Sequence, residues 1–70
     1  MKIQFTSEEL LLLKSLIRKT TEKVKYVKLT VLLMLYEKFS IDKIACALGI
    51  DISTIRRYYY RYKVLGDFAK

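Results

Sequence analysis

An all-α fold of four helices is the architecture this sequence predicts, and three observations carry it. The 70 residues contain no proline and only two glycines, so little interrupts helical propagation. Apolar residues recur at three- and four-residue intervals along most of the chain, the spacing of a helix face and not the alternation of a strand. Helix-start signals stand at regular points: T-x-x-E at Thr6 to Glu9, Ser40 before Ile41, and Asp51 before Ile52.

The first helix is expected over about residues 7–18. Thr6 and Glu9 form a capping box, and Phe5 and Leu10 hold the positions of a hydrophobic staple. The Leu10 to Leu13 run is then expected in the core. TTEK at residues 20–23 breaks the apolar pattern, which resumes in a second helix over about residues 22–38. Leu29 and the run Val31 to Tyr36 make this helix apolar nearly all round, more than a single core face absorbs. One side of it is expected either against the first helix or against another subunit.

The third helix, residues 41–48, is capped by Ser40 and carries Asp42 in its first turn, where the helix dipole favours negative charge. Ile44, Ala45 and Leu48 share a face. Gly49 is able to take the positive φ that ends the helix, Ile50 plugs the corner, and the small Ala45 suits a close helix crossing. The fourth helix, residues 52–64, has an inward stripe of Ile55, Tyr58, Tyr59 and Tyr62, with Gly66 as its expected stop. The last three helices together predict a trihelical, homeodomain-like helix-turn-helix with no wing, within one domain spanning residues 1–70.

Charge narrows the partners. Fourteen Lys and Arg against seven Asp and Glu give a net charge of +7, the balance expected of a chain that meets a polyanion such as nucleic acid or an anionic membrane surface. Between Ile52 and Gly66 stand Arg56, Arg57, Arg61 and Lys63 with no acid among them. A second cluster, Arg18, Lys19, Lys23, Lys25 and Lys28, is offset by Glu22 alone and is open to two readings, a solubilising surface or a grip on phosphate backbone.

Other chemistry is poorly supplied. With one cysteine, Cys46, and no histidine, the chain lacks an internal disulfide, the usual metal-ligand sets and His-dependent nucleophile activation, so no cofactor and no catalysis are expected. Cys46 reads as a small residue at the core edge. The longest apolar run is far short of the roughly 20 residues of a membrane span, and MKIQFTSEE has no signal-peptide pattern, so a cytoplasmic setting without membrane contact is expected.

The outward face of the fourth helix, Ser53, Arg56, Arg57, Tyr60 and Arg61, suits a major groove. With Lys43, Ile52, Thr54 and Lys63 it forms the expected DNA-facing set. Arg57 is the candidate for a guanine edge, Arg56 or Arg61 for phosphate, and Tyr60 for a phosphate hydrogen bond. Ile52 has two readings, contact with a thymine methyl or packing against the corner.

From Phe5 to Asp67 the chain resembles the N-terminal DNA-binding region of mariner-type insertion-sequence transposases. The family's S-x-x-x-I-A-x-x-L-G-I-x-x-S-T-V-x-R run and R-Y-x-x-x-G close are matched by Ser40, Ile44, Ala45, Leu48, Gly49, Ile50, Ser53, Thr54, Ile55, Arg57, Arg61, Tyr62 and Gly66. GIDISTIRRYY is also similar to the DNA-binding helix of serine invertases and resolvases, and that resemblance implies that Ser53 and Arg57 reach bases. The transposase family continues into a second DNA-binding unit and a nuclease domain with three metal-binding carboxylates; the likeness here covers the binding module alone. Glu8, Glu9, Asp42 and Asp51 read as first-turn or capping residues instead.

Three functions fit these observations. The leading one is sequence-specific double-stranded DNA binding, by a small transcriptional regulator or an orphan transposase-type end-binding module. The others are a helical protein-interaction or antitoxin-like subunit, and the remnant of a transposase lacking its catalytic domain. A homodimer through the Leu-rich helices is expected alongside the first.

Overall fold

The structure, a computed structural model, describes residues 3–65. Four helices follow in order: α1 (Ser7–Lys19), α2 (Lys23–Tyr36), α3 (Ile41–Leu48) and α4 (Ile52–Leu65). No strand occurs among the described residues. The expected stop at Gly66, and the stretch in which a wing would follow, lie outside them.

Local chemistry sets the boundaries. At the start of α1 the Glu9 amide donates to Thr6 Oγ1 at 3.1 Å and the Thr6 amide donates to Glu9 Oε1 at 2.9 Å, so the capping box is closed in both directions. At the end of α2 the chain departs from the expected boundary. The helix stops at Tyr36, two residues earlier, because Lys38 takes a left-handed conformation at φ 68°. The Lys38 amide then donates to the Leu35 carbonyl at 3.0 Å and the Phe39 amide to the Met34 carbonyl at 3.1 Å, the paired bonds of a Schellman closure.

Half of the buried apolar side chains come from α2. Leu29, Val31, Leu32 and Leu35 meet Leu13 of α1, Ile44 of α3, Ile55 of α4 and Ile3 of the segment before α1. Among the described residues α2 touches all three other helices, whereas α1 touches α2 alone. The all-round apolar character of α2 is thereby explained: it is an axle covered from three sides. Each fully buried Leu, Ile or Val contributes about 1.5–3 kcal/mol, a large share of what a chain this small can hold.

The Leu10 to Leu13 run behaves differently from expectation. Leu13 is fully buried, but Leu11 is 69% and Leu12 46% exposed. Since α1 packs on a single helix, its far side is uncovered among the described residues. Cys46 is likewise exposed and not at the core edge. No helix among the described residues is long and apolar enough to cross a membrane.

The segment before α1 ties the ends of the fold together. The Phe5 ring lies 5.4 Å from Tyr36 and 5.4 Å from Tyr62, edge-on to the latter, and the Tyr62 hydroxyl donates to the Gln4 carbonyl at 3.3 Å. Burial, and secondarily the Glu9 carboxylate, push the Tyr62 phenol above its ordinary value of 10.0. A raised folded value means that this contribution is complete below the unfolded value and is lost as pH climbs through the folded one. The stability advantage of the wild type over Tyr62→Phe is therefore expected to shrink as pH rises through the ordinary phenol value of 10.0 and beyond in urea unfolding; a constant difference would show that the phenol titrates as it does in the unfolded chain.

Candidate nucleic-acid interface

The geometry of α4 is set by the corner that precedes it. Ser40 Oγ accepts from the Lys43 amide at 3.2 Å and starts α3. Nine residues after Ser40, Gly49 adopts φ 66°, ψ 36°, and the Ile50 amide donates to the Ala45 carbonyl at 3.1 Å. A Cβ built on Gly49 would meet no atom within 4 Å, so glycine is needed there for its backbone and not for space. The Asp51 carbonyl then accepts from the Thr54 and Ile55 amides at 3.0 and 3.3 Å, opening α4. Ile55 is fully buried, and Tyr58, Tyr59 and Tyr62 are half-buried against the same core, which fixes the rotation of α4 about its axis.

That rotation decides what faces outward. Ser53, Arg56, Arg57, Tyr60, Arg61 and Lys63 are exposed, as is Lys43 on α3, while Ile52 and Thr54 are half-buried at the margins. Ile50, Ala45 and Leu48 pack against the core, as the corner requires. Tyr60 is 65% exposed, an unusual state for a large aromatic ring beside three inward tyrosines. Val64, 57% exposed, belongs to the same strip and lies outside the set expected from the sequence. Its signal was in the spacing: 53, 57, 60 and 64 follow the four-three-four rhythm of one helix face.

Two recesses flank this strip. On one side Arg56 lines a hollow of about 310 Å³ with Leu35, Phe39, Ser40 and Ile41, where the end of α2 meets the start of α3. On the other, Arg61 lines a groove of about 240 Å³ with Glu22, Val24, Lys25, Lys28 and Tyr58. The second basic cluster of the sequence is therefore divided. Lys25 and Lys28 join Arg61 beside α4, whereas Arg18 and Lys19 occupy the exposed end of α1. Among the described residues Glu22 is the only acid lining either recess.

Among the described residues no group of three or more His, Cys, Asp or Glu could hold a metal ion. The outer face of α4 carries hydrogen-bond donors, positive charge and exposed aromatic and aliphatic surface. Compared with known proteins, the chain matches no family, and no curated protein or solved structure is significantly similar to it.

Gly49 and Lys38 form a matched pair of left-handed residues, one with glycine and one without. Gly49→Ala is expected to destabilise by about 1–2 kcal/mol through φ alone, and Lys38→Gly to stabilise by up to about 1 kcal/mol, both read as shifts in urea midpoint. Equal and negligible shifts would mean that neither corner is held in the left-handed region.

Proposed function

We propose that this chain binds double-stranded DNA in a sequence-specific manner, with the outer face of α4 in the major groove. The observation that carries the reading is the strip Ser53, Arg57, Tyr60 and Val64, bordered by Arg56 and Lys63 on one flank and by Arg61 with Lys25 and Lys28 on the other. An α-helix with its side chains is about 10–12 Å across and the major groove about 12 Å wide, so a helix seated there has a phosphate strand on each side. Basic groups on both flanks suit that surrounding. The sequence from Ile52 to Leu65 carries no acid to oppose it.

In this reading α2, α3 and α4 are the trihelical, homeodomain-like unit and α4 is its recognition helix. Ser53 and Arg57 read bases, Arg57 by a bidentate contact to guanine. Arg56, Arg61, Lys63 and Tyr60 hold backbone, Lys25 and Lys28 extend that hold, and Lys43 approaches phosphate from α3. Ile52 and Thr54, half-buried, serve the corner first and the groove second. Val64 supplies apolar contact at the far end of the strip. The biological setting is that of a small transcriptional regulator or transposase-type end-binding module acting in the cytoplasm on the nucleoid, and the resemblance to mariner-type transposases supports it. A single module of this size gains affinity from paired half-sites, so a homodimer accompanies the proposal.

Selection of bound duplexes from a random pool, followed by titration, tests it. Arg57→Ala is expected to cost about 1–3 kcal/mol on the selected site and to relax discrimination at one base pair, whereas Arg61→Ala or Lys63→Ala weakens all duplexes alike and lowers the salt slope by about one. Wild-type affinity falls steeply with salt, as for a protein neutralising about four to seven phosphates. A flat salt response, or a specificity ratio untouched by Arg57→Ala in a folded protein, contradicts the proposal and favours a protein partner for this face.

A further inference from the structure

We propose that the outer face of α1 is a self-association surface, and that a second copy of the chain covers it in antiparallel, twofold fashion. This names the face for the expected homodimer but is testable without DNA, so its failure and that of DNA binding are separable. The later turns of α2 are covered by its neighbours, which leaves Val24 and Tyr26 exposed in its first turn, whereas on α1 two adjacent leucines in mid-helix are exposed. Leu11 and Leu12 are exposed, and Leu13, one residue on, is fully buried. With α1 touching no helix but α2, this side of the helix is unpartnered among the described residues.

Charge identifies the occupant. Two copies of a chain with net charge +7 repel one another over most of their surfaces. The outer face of α1 is polarised along its length, with Glu8 exposed at its beginning and Arg18 and Lys19 exposed at its end. Helical spacing puts Glu8, Leu11, Leu12, Ser15 and Lys19 on one stripe with Arg18 beside it. An antiparallel copy brings each Glu8 to Arg18 and Lys19 of the partner and sets Leu11 and Leu12 against the small Ser15 in both directions, the reciprocal contact a twofold axis requires. A parallel pairing would set like charges together. Since α1 and α4 share no helix contact, this arrangement leaves the outer faces of both α4 helices uncovered.

A pair of 13-residue helices is a small interface, so association is expected at micromolar to tens-of-micromolar concentration, on the order of the weakest class of specific complexes. Sedimentation velocity over a concentration series tests it, with circular dichroism confirming that each variant is folded. The wild type should move from monomer to dimer mass, and Leu11→Glu, at an exposed site, should remain monomeric. Glu8→Arg alone and the double variant Arg18→Glu with Lys19→Glu alone should each weaken association by about tenfold or more, because both bridges become repulsions. Mixed in equal amounts, these two variants should associate with each other about as well as the wild type, since both junctions are complementary in the mixed pair. A wild type monomeric throughout, a dimer indifferent to Leu11→Glu, or a mixture no better than its components overturns the proposal.

Discussion

Everything in this molecule depends on α2 being buried from three sides. Four of its side chains form half of the buried core of the described residues, and each of the other helices contributes one fully buried residue to that contact, Leu13, Ile44 or Ile55. No other helix is in contact with all the rest. A chain of this size buries only about 60% of its unfolded surface, which leaves little reserve if the central contact is weakened. Among the described residues no charged side chain is buried, and the distribution of charge over the outside follows from how each helix leans on α2.

The route from this core to the candidate interface is short. Gly49 sets the exit of α3, the Asp51 carbonyl starts α4, and Ile55 enters the core one turn later. With Ile55 fixed, Ser53 and Arg57 on either side of it point away from the core. Phe5 and Gln4 hold Tyr62 near the far end of α4, so the helix is fixed at two points roughly two turns apart. The strip between them is presented on a supported scaffold, which suits a surface that recognises by geometry.

Much of this was legible in the sequence because it is local. The Thr6 to Glu9 box, the Ser40 cap and the Gly49 corner use residue types that few other conformations favour, and the stripe from Ile55 to Tyr62 has one possible period. What was not legible depends on partners distant in sequence. Four consecutive leucines cannot say which of them faces inward until the neighbour of α1 is known, and so the sequence alone points Leu11 and Leu12 to the core. The end of α2 falls two residues before the sequence expectation because lysine gives no warning of the left-handed turn at Lys38. Ile3 is buried by contacts that no local pattern announces. The division of the basic cluster, with Lys25 and Lys28 beside Arg61, follows from α2 lying against α4 and is invisible in a charge count.

The most direct test of the account is amide chemical-shift perturbation on titrating a selected duplex into the labelled protein. Perturbations concentrated on Ser53, Arg57, Tyr60 and Val64, with flanking effects at Lys25, Lys28, Lys43 and Arg56, are the predicted result. Shifts confined to α1, or spread evenly over all basic residues whatever the duplex sequence, would contradict it.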